Sequence, residues 1–431
     1  MASRYVVEHL NHLGIVAEVC REIGVAAWLD GHDPSSRQRV SVGTATVALV
    51  LNGLGWSNRQ LYLVPQFFAD KPVEHLLGPG IRAEMLNDDC LGRTLDWLYA
   101  HNVTTLFAGL ALRARKVCGV KVERLHADTT SFSVHGQYER TQASVESPAT
   151  LVEEALGRGD YDLPTIIEIT YGYSRDHRAD LKQWMLALIT SGEGVPQFLC
   201  PLDGRASDKH SLLEAVLTLT EQLKASGETP GVYVADSGIY SCQNMTTFNT
   251  AGVPWASRVP ETMTEAQAIV REEPTAWQAT EQGKRQWWSR VVELPQGQER
   301  WIVVRSQEGV ERARATIQRQ AARDLTKWTK QLWHLGNATF ACQADAEAAL
   351  TKALQRAPVW VQVQAAVKAV SKQAKPGRPR KDARPATQVW QLQATVALLP
   401  AAIEAEALRQ AAYIIGTNLL PTFRSLRTGD F

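Results

Sequence analysis

The chain has 431 residues, of which 45% are hydrophobic, and a net charge of +1. This length allows two or three domains with sizeable cores, and the near-neutral charge excludes a global attraction to nucleic acid or membranes. Six cysteines are scattered without a CxxC pair, which argues against a disulfide framework or a zinc site. No signal core or apolar run of roughly 18 residues is present, so the sequence predicts a cytoplasmic, nucleoid-associated protein with no membrane partner.

Residues 1–117 are predicted to form a helical N-terminal domain. The stretch at 45–68 contains an apolar helix, a glycine-containing break and a second helix starting at Ser57 or Asn58. This spacing allows a helix-turn-helix, which would place the second helix on DNA. An ordinary helical hairpin is the alternative interpretation.

Residues 118–258 change to a pattern of strands. A hairpin is indicated by enrichment in Thr, Ser and Val, by continuous apolar runs and by a turn at "SGEG". A helix is then indicated by Leu and Val at helical spacing. The predicted elements are strands over 122–136, 181–190 and 195–204, a helix over 207–223 and a strand over 231–238. Hairpin strands followed by a helix and a strand predict an α/β fold with a mixed sheet.

Residues 259–400 are predicted to be a large insertion, and residues 401–431 the start of a final core segment. The pattern predicts a hairpin over 287–307, helices over 311–328 and 345–355, and strands over 387–400 and 411–420. The segment 372–387 has too much Pro, Gly and charge for regular structure and is predicted to be a linker.

The linker contains a candidate DNA contact in "KPGRPRK". An extended Gly-Arg-Pro core can lay its arginine into a narrow minor groove, where the negative potential is strongest. Arg378, Arg380 and Lys381 are therefore the candidate nucleic-acid-binding residues. The alternative is a basic linker that touches only phosphates, or nothing.

Two acids occupy similar positions on predicted strands. Strand alternation puts Asp128 on one face with His126 and Thr130, and Asp236 follows the strand "VYVA". Adjacent bare carboxylates repel, whereas Mg²⁺ or Mn²⁺ would bind between them through hard oxygen ligands. Two such ions about 3.5–4 Å apart stabilise a phosphodiester displacement, and that site needs a third acid. The alternative is that each Asp is a cap or turn residue.

Three stretches of the sequence resemble the motifs of a known protein family. "HADTTSFSVHG" (126–136), the long run from "GYSRDHRADLKQ" (172–183) to "GRASDK" (204–209), and "YVADSGIYS" (233–241) resemble the insertion-sequence DDE transposases. The resemblance is to the group whose final motif runs Tyr-x2-Arg-x3-Glu-x6-Lys. "LNGLGWSNRQLYLVPQFF" (51–68) resembles the N-terminal domain of one branch, which is often filed as a domain of unknown function.

This resemblance implies a ribonuclease-H-like fold with an insertion between the second and third acids. Asp128 matches the first catalytic, metal-binding acid on the first strand, and Asp236 matches the second on the fourth strand. The implied activity is metal-dependent DNA cleavage and strand transfer at terminal inverted repeats, with Mg²⁺ or Mn²⁺ as cofactor. The implied partner is double-stranded DNA, and the active form is expected to be a homo-oligomer.

The sequence departs from the family at the final motif, because no Tyr-x2-Arg-x3-Glu run occurs in it. Glu404 and Glu406 precede the last predicted strand and lack the Tyr and Arg, and Asp430 is one residue from the terminus, so no third acid is assigned. We therefore expect a C-terminally truncated transposase with an incomplete two-metal site. The alternative function is a non-catalytic DNA-binding regulator or inhibitor of transposition.

A charged stretch at 172–183 carries His177, Arg178 and Lys182 beside Asp176 and Asp180. These residues either contact DNA or form a charged turn in which neighbouring side chains pair. The sequence leaves both interpretations open.

Overall fold

The computed structural model of the chain describes residues 7–32, 38–138, 166–174, 177–272, 274, 276–280, 282–372 and 387–420. The chain divides into two compact units, Met1–Ser257 with Pro295–Gly297, and Arg258–Leu294 with Gln298–Phe431. The predicted class, mixed α/β with a helical N-terminal region, is confirmed. No helix in the described ranges has both the length and the apolar character needed to cross a bilayer.

The first unit begins with helices that share one apolar core. The α-helices are α1 Leu13–Ile23, α2 Val25–Asp30, α3 Val42–Gly53, α4 Val64–Phe68, α5 Val73–Leu77, α6 Asp88–Ala100 and α7 Val103–Cys118, with 3-10 helices at Leu61–Leu63 and Ala83–Met85. Leu13, Ala45, Leu51, Phe68 and Leu91 belong to the buried cluster that holds α1 and α3 to α6 together. α7 ends next to the predicted boundary at residue 117, and the first unit includes the segments on both sides of it.

The connection between α3 and α4 differs from the predicted helix pair. The second helix, expected to begin at Ser57 or Asn58, begins at Val64. Asn52 explains the delay, because its side-chain amide exchanges two 2.9 Å hydrogen bonds with the backbone of Arg59 and holds the chain in a turn. Three of the five residues of α4 are buried, so α4 presents little surface to a DNA groove.

The strands of the first unit form a mixed sheet in the order β3-β2-β1-β4-β5. They are β1 Arg124–Val134, β2 Lys182–Ser191, β3 Pro196–Leu202, β4 Val232–Ala235 and β5 Trp255–Arg258. β2 pairs antiparallel with β1 and β3, whereas β4 pairs parallel with β1 and β5. The first four strands match the predicted ones, but the sequence interpretation missed β5 and the helix α9, Cys242–Thr250.

Helix α8, Asp208–Ala225, covers one face of this sheet. Its buried residues follow the predicted helical spacing, which gathers them into one apolar stripe. The stripe and the sheet residues beneath it include Leu212, Val216, Leu219, Leu223, Leu125, Ala127, Ala187 and Ile189. Large aliphatic side chains buried this completely contribute roughly 1.5–3 kcal/mol each.

The second unit contains two further sets of strands. β6 Gln278–Ala279, β7 Arg285–Leu294, β8 Gly297–Ser306 and β11 Ala412–Thr417 lie in the order β11-β8-β7-β6, and β9 Val361–Lys372 pairs with β10 Thr387–Leu398 as a separate ribbon. The helices are α10 Thr264–Ile269, α11 Gln307–Asn337, α12 Gln343–Leu354 and α13 Pro400–Ala411. The predicted hairpin, helices and last two strands are present, and β9 and α13 were missed.

A buried arginine ties the N-terminal helices to the sheet within the first unit. Arg115 of α7 is 7% exposed and donates 2.9 Å hydrogen bonds to Gln197 of β3 and to the carboxylate of Glu228. Both bonds involve a charged donor in a poorly hydrated position, where such bonds are strong.

Replacement of Arg115 by Met keeps the apolar stem and removes both bonds. We expect the free energy of unfolding of the first unit to fall by about 2–3 kcal/mol, because a buried acceptor loses its charged partner. Urea denaturation measures this change. The exposed Arg93–Asp89 pair provides the matched control, and Arg93→Met is expected to cost less than about 0.5 kcal/mol. Equal losses in the two variants would contradict this role of Arg115.

Candidate metal centre

Strand β1 presents Asp128 on an open face of the sheet. Burial alternates along the strand, with Leu125, Ala127 and Thr129 buried and His126 and Asp128 exposed. This is the alternation predicted from the sequence. The apolar face is selected by packing against α8, so the carboxylate is turned toward solvent on the opposite face.

Asp236 directly follows β4, the parallel neighbour of β1. Ala127 and Ala235 are partners in the parallel pairing of β1 with β4, and Asp128 and Asp236 are the next residue on each chain. Side chains at matching positions of neighbouring parallel strands share a face, and the strands lie about 4.8 Å apart. Asp236 is one residue past the last paired residue of β4, and extending the register by that residue would put both exposed carboxylates on one side of the sheet.

Short hydrogen bonds orient both carboxylates. The Thr129 amide donates to Asp128 Oδ1 at 2.7 Å, and the Gly238 amide donates to Asp236 Oδ1 at 2.7 Å. The Ser257 hydroxyl donates to the Asp236 backbone carbonyl, also at 2.7 Å. Each acid is thus fixed by a local bond rather than carried on a free side chain.

Gly238 lies close against the Asp236 carboxylate. A Cβ atom built there would lie 2.8 Å from Asp236 Oδ1, so any larger residue would push the carboxylate away from its present place. The turn "DSG" therefore couples a backbone amide to the acid and leaves room for it.

The layer beneath the acids is rigid. The Thr129 hydroxyl donates to Asp208, at the first turn of α8, over 2.7 Å. Tyr233 of β4 is buried, which raises its pKa to about 12, and its hydroxyl accepts a 2.9 Å hydrogen bond from Thr220, which acts in the opposite direction. These contacts fix both strands against α8, and with them the level of the acids.

The donor set suits a hard divalent cation. Two carboxylates on one face offer oxygen ligands of the type that Mg²⁺ and Mn²⁺ prefer, and water or phosphate oxygens fill the remaining positions. Within the described ranges, no group of three or more His, Cys, Asp and Glu side chains is arranged to hold a metal. The two acids could supply two of the oxygen ligands of one such ion.

The other predicted site residues have different outcomes. Arg378, Arg380 and Lys381 lie outside the described residues, as do Asp176 and Asp430.

The two glutamates that were not assigned as the third acid occupy α13 of the second unit. Glu404 pairs with Arg314, and Glu406 pairs with Arg409.

The charged stretch before β2 contains a tight ion pair. The Arg178 guanidinium donates two 2.8 Å hydrogen bonds to Asp180 and holds the pKa of that carboxyl at about 2. Lys182 Nζ donates to the backbone carbonyl of Gln137. For Arg178, pairing between neighbours in a charged turn describes the contact that is present, whereas Lys182 contacts the backbone of a segment distant in the chain.

Sequence reasoning missed one buried acid in the second unit. Glu299 of β8 is 0% exposed and accepts a 2.7 Å hydrogen bond from the Trp301 indole. The signal was available, because strand alternation places Glu299 on the face that also carries Trp301 and Val303, both buried.

Comparisons with known proteins cover part of the chain. Residues 5–112 match the family described as Domain of unknown function (DUF4277). No curated protein matches the chain. Among solved structures, it is similar to the piggyBac transposase in a cryo-EM synaptic complex with hairpin DNA, with 10% identity, a TM-score of 0.26 and coverage of 70% of this chain. The chain spans about half of that transposase chain, 51%, and a shared fold does not follow from so loose a superposition.

A shared ion predicts that both acids are needed for metal binding. Asp128→Asn and Asp236→Asn each remove one ligand charge while keeping an acceptor oxygen for the local amide. We expect each variant to bind Mn²⁺ at least roughly tenfold more weakly than the parent protein in isothermal titration calorimetry. Asp180→Asn is the control, because Asp180 is paired with Arg178, and it should leave the affinity unchanged.

Gly238→Ala tests the same site without altering a ligand. The added methyl displaces the Asp236 carboxylate, so we expect Mn²⁺ affinity to fall by about tenfold with little change in thermal stability. Wild-type affinity in both Asn variants would show that the two acids do not bind a common ion, and wild-type affinity in Gly238→Ala would show that the carboxylate position set by the turn is not needed.

Proposed function

We propose that this chain carries the catalytic core of a DDE-type DNA transposase and binds a divalent ion between Asp128 and Asp236. The observation that carries the proposal is the parallel register of β1 and β4, in which Ala127 and Ala235, the residues directly before the two acids, are partners. The family resemblance expects these acids on the first and fourth strands of a ribonuclease-H-like core. The position of Asp128 in β1 and of Asp236 directly after β4 supports that assignment.

The chemistry proposed for this face is phosphodiester cleavage and strand transfer at the inverted repeats of double-stranded DNA. A bound Mg²⁺ or Mn²⁺ would supply charge stabilisation and activation of the attacking oxygen. Asp128 and Asp236 would hold the ion, and the Thr129 and Gly238 amides would keep the carboxylates in position. The open face leaves room for a phosphate oxygen to complete the coordination.

We further propose that this polypeptide does not complete the reaction alone. A two-metal site requires a third carboxylate, and the sequence has no Tyr-x2-Arg-x3-Glu run to supply one. The described residues add no third metal ligand beside the pair. Weak ion binding and DNA contact without cleavage are the expected properties, and these would also suit a regulator that occupies the DNA ends.

A nicking assay on a DNA fragment carrying the element's inverted repeats tests the function. We expect no Mg²⁺-dependent product from this polypeptide alone, and product when a segment bearing the missing final motif is added in trans. Product formed in trans should disappear with Asp128→Asn, whereas Asp180→Asn should retain it.

Two results would contradict the proposal. Robust product from this polypeptide alone would exclude the inactive form. Product in trans that survives both Asp128→Asn and Asp236→Asn would remove these acids from the reaction. Binding to the repeats with no cleavage under either condition would favour the regulator.

A further inference from the structure

Exposed aromatic side chains lie at one end of the antiparallel β1–β2 pair. Phe132 is 42% exposed, and in the neighbouring segment Tyr171 is 59% exposed and Tyr173 is 86% exposed. Single exposed apolar residues are ordinary on protein surfaces, whereas several exposed aromatic residues in one region of a sheet are a candidate binding surface.

This group lies on the same face of the sheet as Asp128. Side chains alternate along β1, so Asp128 and Phe132, four residues apart, point the same way, and Trp184 is the cross-strand partner of Phe132. Four residues of extended strand span about 13 Å. The aromatic rings are therefore within reach of a ligand strand that also touches the acids.

Two of the rings stack on each other, so each covers one face of its neighbour and a ligand ring would extend the stack at an outer face. Phe132 and Trp184 stack with their centroids 4.5 Å apart and their planes 15° from parallel. Thr170 and Gln183 exchange backbone hydrogen bonds of 3.1 and 2.9 Å, which holds the 166–174 segment along β2.

Tyr171 joins this surface through Lys182. Lys182 Nζ lies 5.9 Å from the Tyr171 ring centroid, and Lys182 is the cross-strand partner of Val134 on the Asp128 face. Flat rings bordered by an ammonium group match the chemistry of a nucleobase and its phosphate.

We propose that the Phe132–Trp184 stack and the nearby Tyr171 ring are a stacking platform for unpaired bases of the nucleic acid that is processed at the acids. This inference rests on the proposed function and specifies that the site binds nucleic acid with unpaired bases. In a duplex, each base hides its ring faces against its neighbours. A flat aromatic surface therefore gains contact only with bases that have left the stack.

The test measures binding of the full chain to a fluorescein-labelled single-stranded oligonucleotide and to the matching blunt duplex, by anisotropy at fixed salt. We expect Phe132→Ala and Tyr171→Ala to weaken single-strand binding by about 5- to 100-fold. Duplex binding should change little, and so should the slope of log affinity against log salt, because no charge is removed. Phe132→Tyr should retain binding, since it keeps an aromatic ring.

Trp333→Ala is the matched control, because Trp333 is 64% exposed but lies in α11 of the second unit. It should leave single-strand binding unchanged. Tyr171 is more exposed than Phe132, so Tyr171→Ala keeps the test decisive if Phe132→Ala fails to fold.

Three outcomes would overturn the platform. The first is wild-type single-strand affinity in both Tyr171→Ala and Phe132→Ala. The second is a loss of duplex affinity in these variants equal to the loss of single-strand affinity. The third is a changed oligomeric state of the variants in sedimentation, which would make this face a contact between copies of the chain. Manganese calorimetry separates the two proposals. Stacking without Mn²⁺ binding at the acids would defeat the proposed function alone, and Mn²⁺ binding with unaltered aromatic variants would defeat the platform alone.

Discussion

The parallel register between β1 and β4 is the constraint on which the proposed site depends. Leu125 and Tyr233 are partners in that register, and both are buried on the face that α8 covers. A slip of one residue would move one strand's apolar side chains to solvent and its acid to the opposite face. Burial of the apolar face therefore selects the alignment in which Ala127 and Ala235, the residues directly before the two acids, are partners.

The two acids show how a sheet can position charge without burying it. Both carboxylates are exposed, and each accepts a hydrogen bond from an amide close to it in the chain. Neighbouring like charges repel, and a divalent cation bound between the two carboxylates would attract both of them. The strands are fixed on their buried side, through Thr129 and Asp208, while the open side remains available to solvent and ligands.

Periodicity predicted the strands that are rich in apolar residues, and it failed where composition was ambiguous. Helix α9 reads "CQNMTTFNT", whose Thr and Asn are weak helix formers, so tertiary packing of Met245 and Phe248 decides its conformation. β5 is only four residues long. Alternation predicted the faces of β1, but the pairing of Asp128 with Asp236 came from the family resemblance, since strand register is not visible in a single sequence. The aromatic surface was missed for the same reason.

Diffraction from crystals soaked in Mn²⁺, recorded at an energy where manganese scatters anomalously, tests the shared ion most directly. The account predicts an anomalous peak within about 2.3 Å of one oxygen from each of Asp128 and Asp236. A peak bound to only one of these acids would contradict it. So would carboxylate groups that face opposite sides of the sheet.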